Sequence, residues 1–238
     1  MKQDITWAPL IPLIGGQMLG AEKAFGKPPE AIYSYTGFEA NDGHYVNYQQ
    51  NTKGRDIPYV LLDSENPNIR QVDVVSGTPP CAALSQLNTG LSEESKGAKC
   101  AKNEFMYQVF QDGIDILGAK VVIVENAPAL YTNKGRPVAN RLYEICAERG
   151  YSLSLYKTST RYHGVPQGRD RTFAIGWKSS TSPVMNWYNR DRKSFAEYLQ
   201  EIPDDALQQD LIINKNVPEE PYYTFIKTKT NRDVREIM

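Results

Sequence analysis

The apolar positions fall into two alternating kinds of segment. IYSYTGFE (32–39), PYVLLD (58–63), VDVVSG (72–77) and KVVIVEN (120–126) are short apolar runs rich in β-branched and aromatic residues, and each predicts a strand. In NEFMYQVFQDGIDILG (103–118), Met106, Phe110, Ile114 and Leu117 recur every three or four positions. That spacing predicts a helix, with Gly118 as its C-terminal stop. RPVANRLYEICAERG (136–150) predicts another: Pro137 suits a first turn, Val138, Leu142 and Ile145 share a face, and Gly150 ends it. SLSLYKTS (152–159) and RTFAIGW (171–177) add two strands around RYHGVPQGRD. Strands alternating with helices predict an α/β fold, a mostly parallel sheet with helices on both faces. Beyond about residue 180 the pattern decays. SSTSPVMNWYNRD reads as loop, KSFAEYLQEI as a short helix, and the stretch from Pro203 to Met238 has no clear period.

Composition narrows the class. The 238 residues are 40% hydrophobic and 23% charged, as in a globular protein. The longest mostly apolar run, APLIPLIGG, is too short and proline-broken to span a bilayer, and MKQDITW lacks the pattern of a signal peptide, so a cytoplasmic protein is expected. Three widely spaced cysteines (Cys81, Cys100, Cys146) and two histidines show no metal-ligand spacing and fit free thiols in a reducing compartment. A net charge of −1 argues against binding nucleic acid by overall basicity. From Lys157 to Lys193, however, eight basic residues face two acidic ones. Such a stretch is either a phosphate-facing surface or an ordinary solvated face.

Candidate chemistry gathers at strand ends. VDVVSG runs into GTPPCAALS, which puts Cys81 in a proline-stiffened loop. A lone cysteine is more often a small packed hydrophobe than a nucleophile. In an open α/β sheet, though, loops at the carboxyl ends of strands form the ligand crevice. Three strands also end in a carboxylate, at Glu39, Asp63 and Glu125. Acids so placed accept hydrogen bonds from ribose hydroxyls, which points to a nucleoside-bearing cofactor.

Taken together, Pro80-Cys81, Glu125-Asn126-Ala127 and Gln167-Gly168-Arg169-Asp170-Arg171 stand in an order and spacing that resembles the DNA cytosine-5 methyltransferases. The resemblance covers residues 8 to 177. It implies a Rossmann-like methyltransferase fold, S-adenosylmethionine as cofactor, and duplex DNA as partner with the target base flipped out of the stack. It casts Cys81 as the nucleophile that attacks cytosine C6. Glu125 becomes the group that protonates or hydrogen-bonds N3, and Arg171 the group that holds the base oxygen. Arg169 is the further arginine of the pattern, for which a phosphate contact is the other reading. Ser85, Asn126 and Gln167 fall on the substrate side, and a prokaryotic or phage source is expected.

The resemblance assigns Gly15, Gly16 and Gly20 of LIGGQMLGAEKAF, with Pro80, to the cofactor loop and helix. Glu39 becomes the ribose-binding acid and Asp63 the acid near adenine. Two departures stand out. Where the family usually has Phe-x-Gly-x-Gly, this chain has Ile11-Pro12-Leu13-Ile14-Gly15. An aromatic residue often follows the ribose acid in the family, but here Ala40 does, which leaves Phe38 as the candidate for stacking on adenine.

The division expected is a catalytic domain over 1–180 and an extension over 181–238. The extension would be the start of a target-recognition region or a partner-binding segment. Rival readings are a half-enzyme whose recognition region lies on another chain, a non-catalytic DNA- or cofactor-binding relative, and an enzyme acting on RNA or free nucleotide.

Overall fold

A computed structural model describes residues 4–13, 15–39, 42, 57–85, 97–165, 167–186, 194 and 197. Its centre is one seven-stranded sheet: β1 (Trp7–Leu10), β2 (Ile32–Ser34), β3 (Tyr59–Leu61), β4 (Val74–Gly77), β5 (Val121–Asn126), β6 (Ser152–Ser159) and β7 (Asp170–Trp177). The strand order is β3-β2-β1-β4-β5-β7-β6. Pairings among β1 to β5 are parallel, and β7 runs antiparallel between β5 and β6. The α/β expectation is met, with an antiparallel hairpin at one edge.

Several boundaries differ from the apolar pattern. Leading strand β1, WAPL, was not among the expected elements, because two of its four residues are alanine and proline. All four are nonetheless buried, between β2 and β4. Strand β2 stops at Ser34, so the expected 32–39 strand is only three residues long and Glu39 lies in a following turn. Asp63 likewise lies two residues past the end of β3. The apolar residues Tyr35 and Phe38 that prolong the pattern are buried by packing outside the ladder.

Helix α1 (Gly16–Phe25) follows β1, α2 (Glu104–Asp115) leads to β5, and α3 (Arg136–Glu148) leads to β6. Met106, Val109, Phe110 and Gly113 of α2 are its buried stripe, and Val138, Leu142, Ile145 and Cys146 that of α3. Both helices end before the glycines expected to stop them. Gly118 and Gly150 take positive φ, 66° and 71°, in the turns that follow. The fit of α2 to the sheet is close. A Cβ on Gly77 would meet Val109 Cγ1 at 2.8 Å, and one on Gly176 would meet the Phe110 ring at 2.7 Å. Trp7, fully buried, donates from Nε1 to the Lys27 carbonyl (3.1 Å) and packs on Phe25. Among the described residues no helix is long and apolar enough to cross a membrane.

The order reverses between β1 and β4, and there an open α/β sheet leaves its crevice at the carboxyl ends of the strands. Thr78 spans it: its hydroxyl (2.8 Å) and its amide (3.3 Å) both donate to the Ile11 carbonyl, joining the loop after β4 to the loop after β1.

Candidate active site

Past Gly77, Thr78-Pro79-Pro80 carries the chain to Cys81, the residue before a single 3₁₀ turn, Ala82–Leu84. The turn closes by a bond from the Leu84 amide to the Cys81 carbonyl (3.1 Å), and Ala83 and Leu84 are buried beneath it. Cys81 is thus half-buried on a supported loop, whereas Cys100 and Cys146 are buried. Burial pushes its thiol above the ordinary value. The negative charge of Glu125 pushes the same way, and the positive charge of Arg171 pulls against both.

Glu125 is the penultimate residue of β5, and Arg171 the second residue of β7. Glu125 pairs with Phe173 across the antiparallel ladder, so Arg171, two residues on, projects from the same face. Arg171 Nε makes an ion pair with Glu125 Oε1, with only 18% and 22% of the two side chains accessible. Burial raises the Glu125 carboxyl, and the arginine partly offsets this. A thiol, a carboxyl with raised proton affinity and a guanidinium therefore act on one another at the ends of β4, β5 and β7.

The loop after β1 has an unusual backbone. Ile11 and Leu13 hold φ of 54° and 47°, and Gly15 holds 77°. A left-handed conformation costs a residue with a Cβ about 1–2 kcal/mol. Four hydrogen bonds among the described residues hold the two strained residues. Ile11 donates to the Tyr33 carbonyl (3.0 Å) and its carbonyl accepts from the Thr78 amide (3.3 Å) and hydroxyl (2.8 Å), and the Leu13 amide donates to Asp42 Oδ1 (3.0 Å). Gly15 begins α1 with no side-chain cap, so the helix presents its first amides at the crevice. Glu39 and Asp63, both exposed, converge on one turn. Asp63 accepts the Thr36 amide through both oxygens (2.9 and 3.0 Å), and Glu39 Oε2 accepts the Gly37 amide at 2.6 Å. Uncapped amides, a glycine entry and two neighbouring carboxylates suit a ligand with an amino-acid end and a ribose.

The family model for C-5 cytosine-specific DNA methylases matches residues 7–236. The chain belongs to that family. Among its relatives are the type II methyltransferase M.Bpa9945I of Bacillus paralicheniformis, 30% identical over 52% of this chain and 29% of the relative. Another is M.NgoPII of Neisseria gonorrhoeae, 28% identical over 69% of this chain and 45% of the relative. The matched part spans less than half the length of each of these curated relatives. In fold the chain is similar to the Entamoeba histolytica methyltransferase EhMeth, with a TM-score of 0.60 at 15% identity, covering 89% of this chain and 67% of that one.

Within this cytosine methylase fold, some expected site residues stand together and others do not. Cys81, Glu125 and Arg171 converge. Gly15 and Gly16 lie where the loop after β1 enters α1, and Pro80 precedes Cys81 in the loop after β4. Ser85, partly buried, follows the turn that supports Cys81. Asn126 departs from expectation. Successive strand residues face opposite sides, so it points away from Glu125. Its side chain is fully buried, with Oδ1 accepting the Ala127 amide at 2.9 Å at the strand exit. Phe38 is 7% exposed and packed edge-to-face on Phe105, centroids 4.8 Å apart, which leaves little of it for adenine to stack on. Gly20 lies one turn into α1, exposed and past the free amides. Gln167 and Arg169 are exposed in the loop before β7, which Thr160 ties down by accepting the Arg169 amide (2.9 Å) and donating to the Gln167 carbonyl. Ala40 and the segment from 198 to 238 lie outside the described residues.

Asp42 was not anticipated. It is fully buried and accepts three hydrogen bonds. In the sequence it sits in the polar run NDGH, which reads as turn.

Proposed function

We propose that this chain is the catalytic part of an enzyme that methylates C5 of cytosine in duplex DNA, using S-adenosylmethionine. The observation that carries the reading is the mutual arrangement of Cys81, Glu125 and Arg171. C5 of cytosine is a weak nucleophile. Attack of the Cys81 thiolate on C6 pushes an electron pair through the ring toward N3, where Glu125 supplies a proton. A carboxyl whose proton affinity is raised by burial suits that donation. Arg171 holds the Glu125 carboxylate through Nε and would donate from its other N–H groups to the base oxygen. C5, now enamine-like, would take the methyl group, with S-adenosylhomocysteine as the leaving group. Water would then remove the C5 proton as the C6–S bond breaks to return the thiolate, and N3 would give its proton back to Glu125. S-adenosylmethionine supplies the electrophilic methyl carbon. The glycine turn at Gly15 and Gly16, with Glu39 and Asp63, would hold its amino-acid and ribose portions. The base has to leave the duplex stack, since C5 and C6 are attacked from the two faces of the ring.

Target recognition would be supplied by residues 181–238, by another segment or by a second chain. The deciding experiment incubates the chain, S-adenosylmethionine and a duplex containing 5-fluorocytosine. Fluorine blocks release of the C5 substituent, so a covalent adduct accumulates. Peptide mapping should find it on Cys81, and Cys81→Ser should abolish it while leaving cofactor binding intact. Adduct on Cys100 or Cys146 refutes the assignment, and methylation confined to RNA moves the substrate class.

A further inference from the structure

We propose that Asp42 is a positioning residue for the cofactor loop, its buried carboxylate clamping Leu13 in a left-handed conformation that glycine would adopt unaided. The inference rests on the cofactor reading above and deepens it. Leu13 stands where the resemblance leads one to expect glycine, yet φ there is 47°. A residue with a Cβ therefore holds a backbone conformation that favours glycine, so something must hold the strained residue in place. Asp42 is the group in contact with it. Its Oδ1 accepts the Leu13 amide at 3.0 Å.

The clamp is itself braced from two strands. Asp42 Oδ2 accepts from the Ser34 hydroxyl at the end of β2 (2.5 Å) and from the Tyr59 hydroxyl at the start of β3 (2.8 Å). All three partners are placed to donate to the carboxylate, and their hydrogen bonds oppose the burial that raises its proton affinity. A buried acid that receives three hydrogen bonds from three separate segments is placed to fix their relative position. The segments are the loop after β1, the exit of β2 and the entry of β3. The first leads into Gly15 and the uncapped start of α1, and the second into the turn that carries Glu39. Asp42 therefore links the two halves of the crevice that S-adenosylmethionine would occupy, without touching the ligand. Leu13 and Asp42 form a compensating pair: the bulkier residue is tolerated because the carboxylate holds its amide.

The test is a double-mutant cycle with two readouts. Asp42→Asn leaves one oxygen and an amide nitrogen facing three donors. It should speed hydrogen exchange at the Leu13 amide, with no ligand present, by roughly tenfold, and weaken S-adenosylmethionine binding by about the same factor in calorimetry. Leu13→Gly alone supplies the reference arm of the cycle. Leu13→Gly added to Asp42→Asn should restore affinity to within about threefold of the unaltered chain, because glycine needs no clamp. A general loss of packing would give no such rescue. Tyr59→Phe, which removes one brace, gives a milder version should Asp42→Asn fold poorly. Unchanged Leu13 exchange in Asp42→Asn refutes the clamp and leaves the cofactor reading intact. A further loss on adding Leu13→Gly also refutes it. Failure of the unaltered chain to bind S-adenosylmethionine refutes the cofactor reading, and with it the purpose assigned to the clamp.

Discussion

Arg171 forms its ion pair with Glu125 diagonally across two antiparallel strands, and both charges act on the Cys81 thiol a strand away. The pair is mostly shielded from water, so the Arg171 charge pulls down the proton affinity of both Glu125 and Cys81. Removing one partner of a shielded pair leaves the other charge uncompensated, which is worse than never having the pair.

That linkage predicts opposite shifts in the pH profile of Cys81 alkylation. Burial is the main cause of the raised thiol, and Glu125 adds to it. Iodoacetamide should therefore react with a midpoint above the ordinary thiol value of about 8.5. Glu125→Gln removes the negative charge and should lower the midpoint. Arg171→Gln removes the opposing positive charge and should raise it. Peptide mapping isolates the signal, since Cys100 is buried and the fully buried Cys146 has its thiol pushed up to about 12. Identical midpoints in all three proteins would show that the charges do not act on Cys81.

Glu39→Ala should weaken S-adenosylmethionine binding by roughly 1–3 kcal/mol, the scale for losing a hydrogen bond made by a charged group. Asp63→Ala should act through the turn as well, because both Asp63 oxygens hold the Thr36 amide. Calorimetry gives the affinities, and hydrogen exchange at Thr36 separates loss of the turn from loss of a ligand contact. Unchanged affinity in Glu39→Ala would move the ribose elsewhere.

Much of the fold and the grouping of Cys81, Glu125 and Arg171 was legible because each rests on a local signal. The β4 and β5 runs are continuous apolar segments, and their ends carry Cys81 and Glu125. The paired helices show clear stripes. What escaped depended on tertiary context. WAPL forms a strand because neighbours on both sides complete its hydrogen bonds, which its own composition does not advertise. Tyr35 and Phe38 look like strand residues but are core residues on a turn, so the end of β2 was misplaced by five residues. Asn126 adjoins Glu125 in sequence and faces the opposite way. Asp42 looks like a solvated turn residue, and its burial is created by Ser34, Tyr59 and a loop 29 residues earlier.

Two glycine substitutions should move stability in opposite directions. A Cβ on Gly135 would sit 2.4 Å from the Ala129 carbonyl oxygen and 2.6 Å from Leu130 Cα, backbone atoms that cannot turn aside. Gly135→Ala should cost about 2–3 kcal/mol, the upper part of the overpacking range. Nothing lies within 4 Å of a Cβ on Gly20, inside α1. Gly20→Ala should stabilise by about 0.5–1 kcal/mol. Denaturant melts measure both. Cofactor affinity in Gly20→Ala also tests its assignment to the cofactor site, since a glycine needed for close approach would lose binding on gaining a methyl group.

At the far end of the sheet from the crevice, Asp73 joins the starts of three strands, and its ionisation predicts an acid-dependent loss of stability. Its Oδ2 accepts from the Thr6 amide (3.0 Å) and hydroxyl (2.9 Å) before β1, and its Oδ1 accepts from Lys120 before β5 (2.9 Å). The Lys120 ammonium first, and then the Thr6 amide, lower the carboxyl to about 2. In an unfolded chain the same group titrates near 3.9. The folded value is the lower one, so the unfolded state takes up the proton first. The stabilisation is complete above about pH 4 and disappears as the pH falls toward 2. About a third of the Asp73 side chain and most of Lys120 are exposed, so solvent screens the ion pair and the Thr6 bonds should carry most of the effect. Asp73→Asn should therefore lower stability at pH 7 by about 1 kcal/mol, the scale of a net hydrogen bond, and Lys120→Gln by less. The deficit of Asp73→Asn should close between about pH 4 and 2, measured by denaturant titration at each pH. A deficit that stays constant down to pH 2 would mean that the carboxylate charge contributes nothing at this junction.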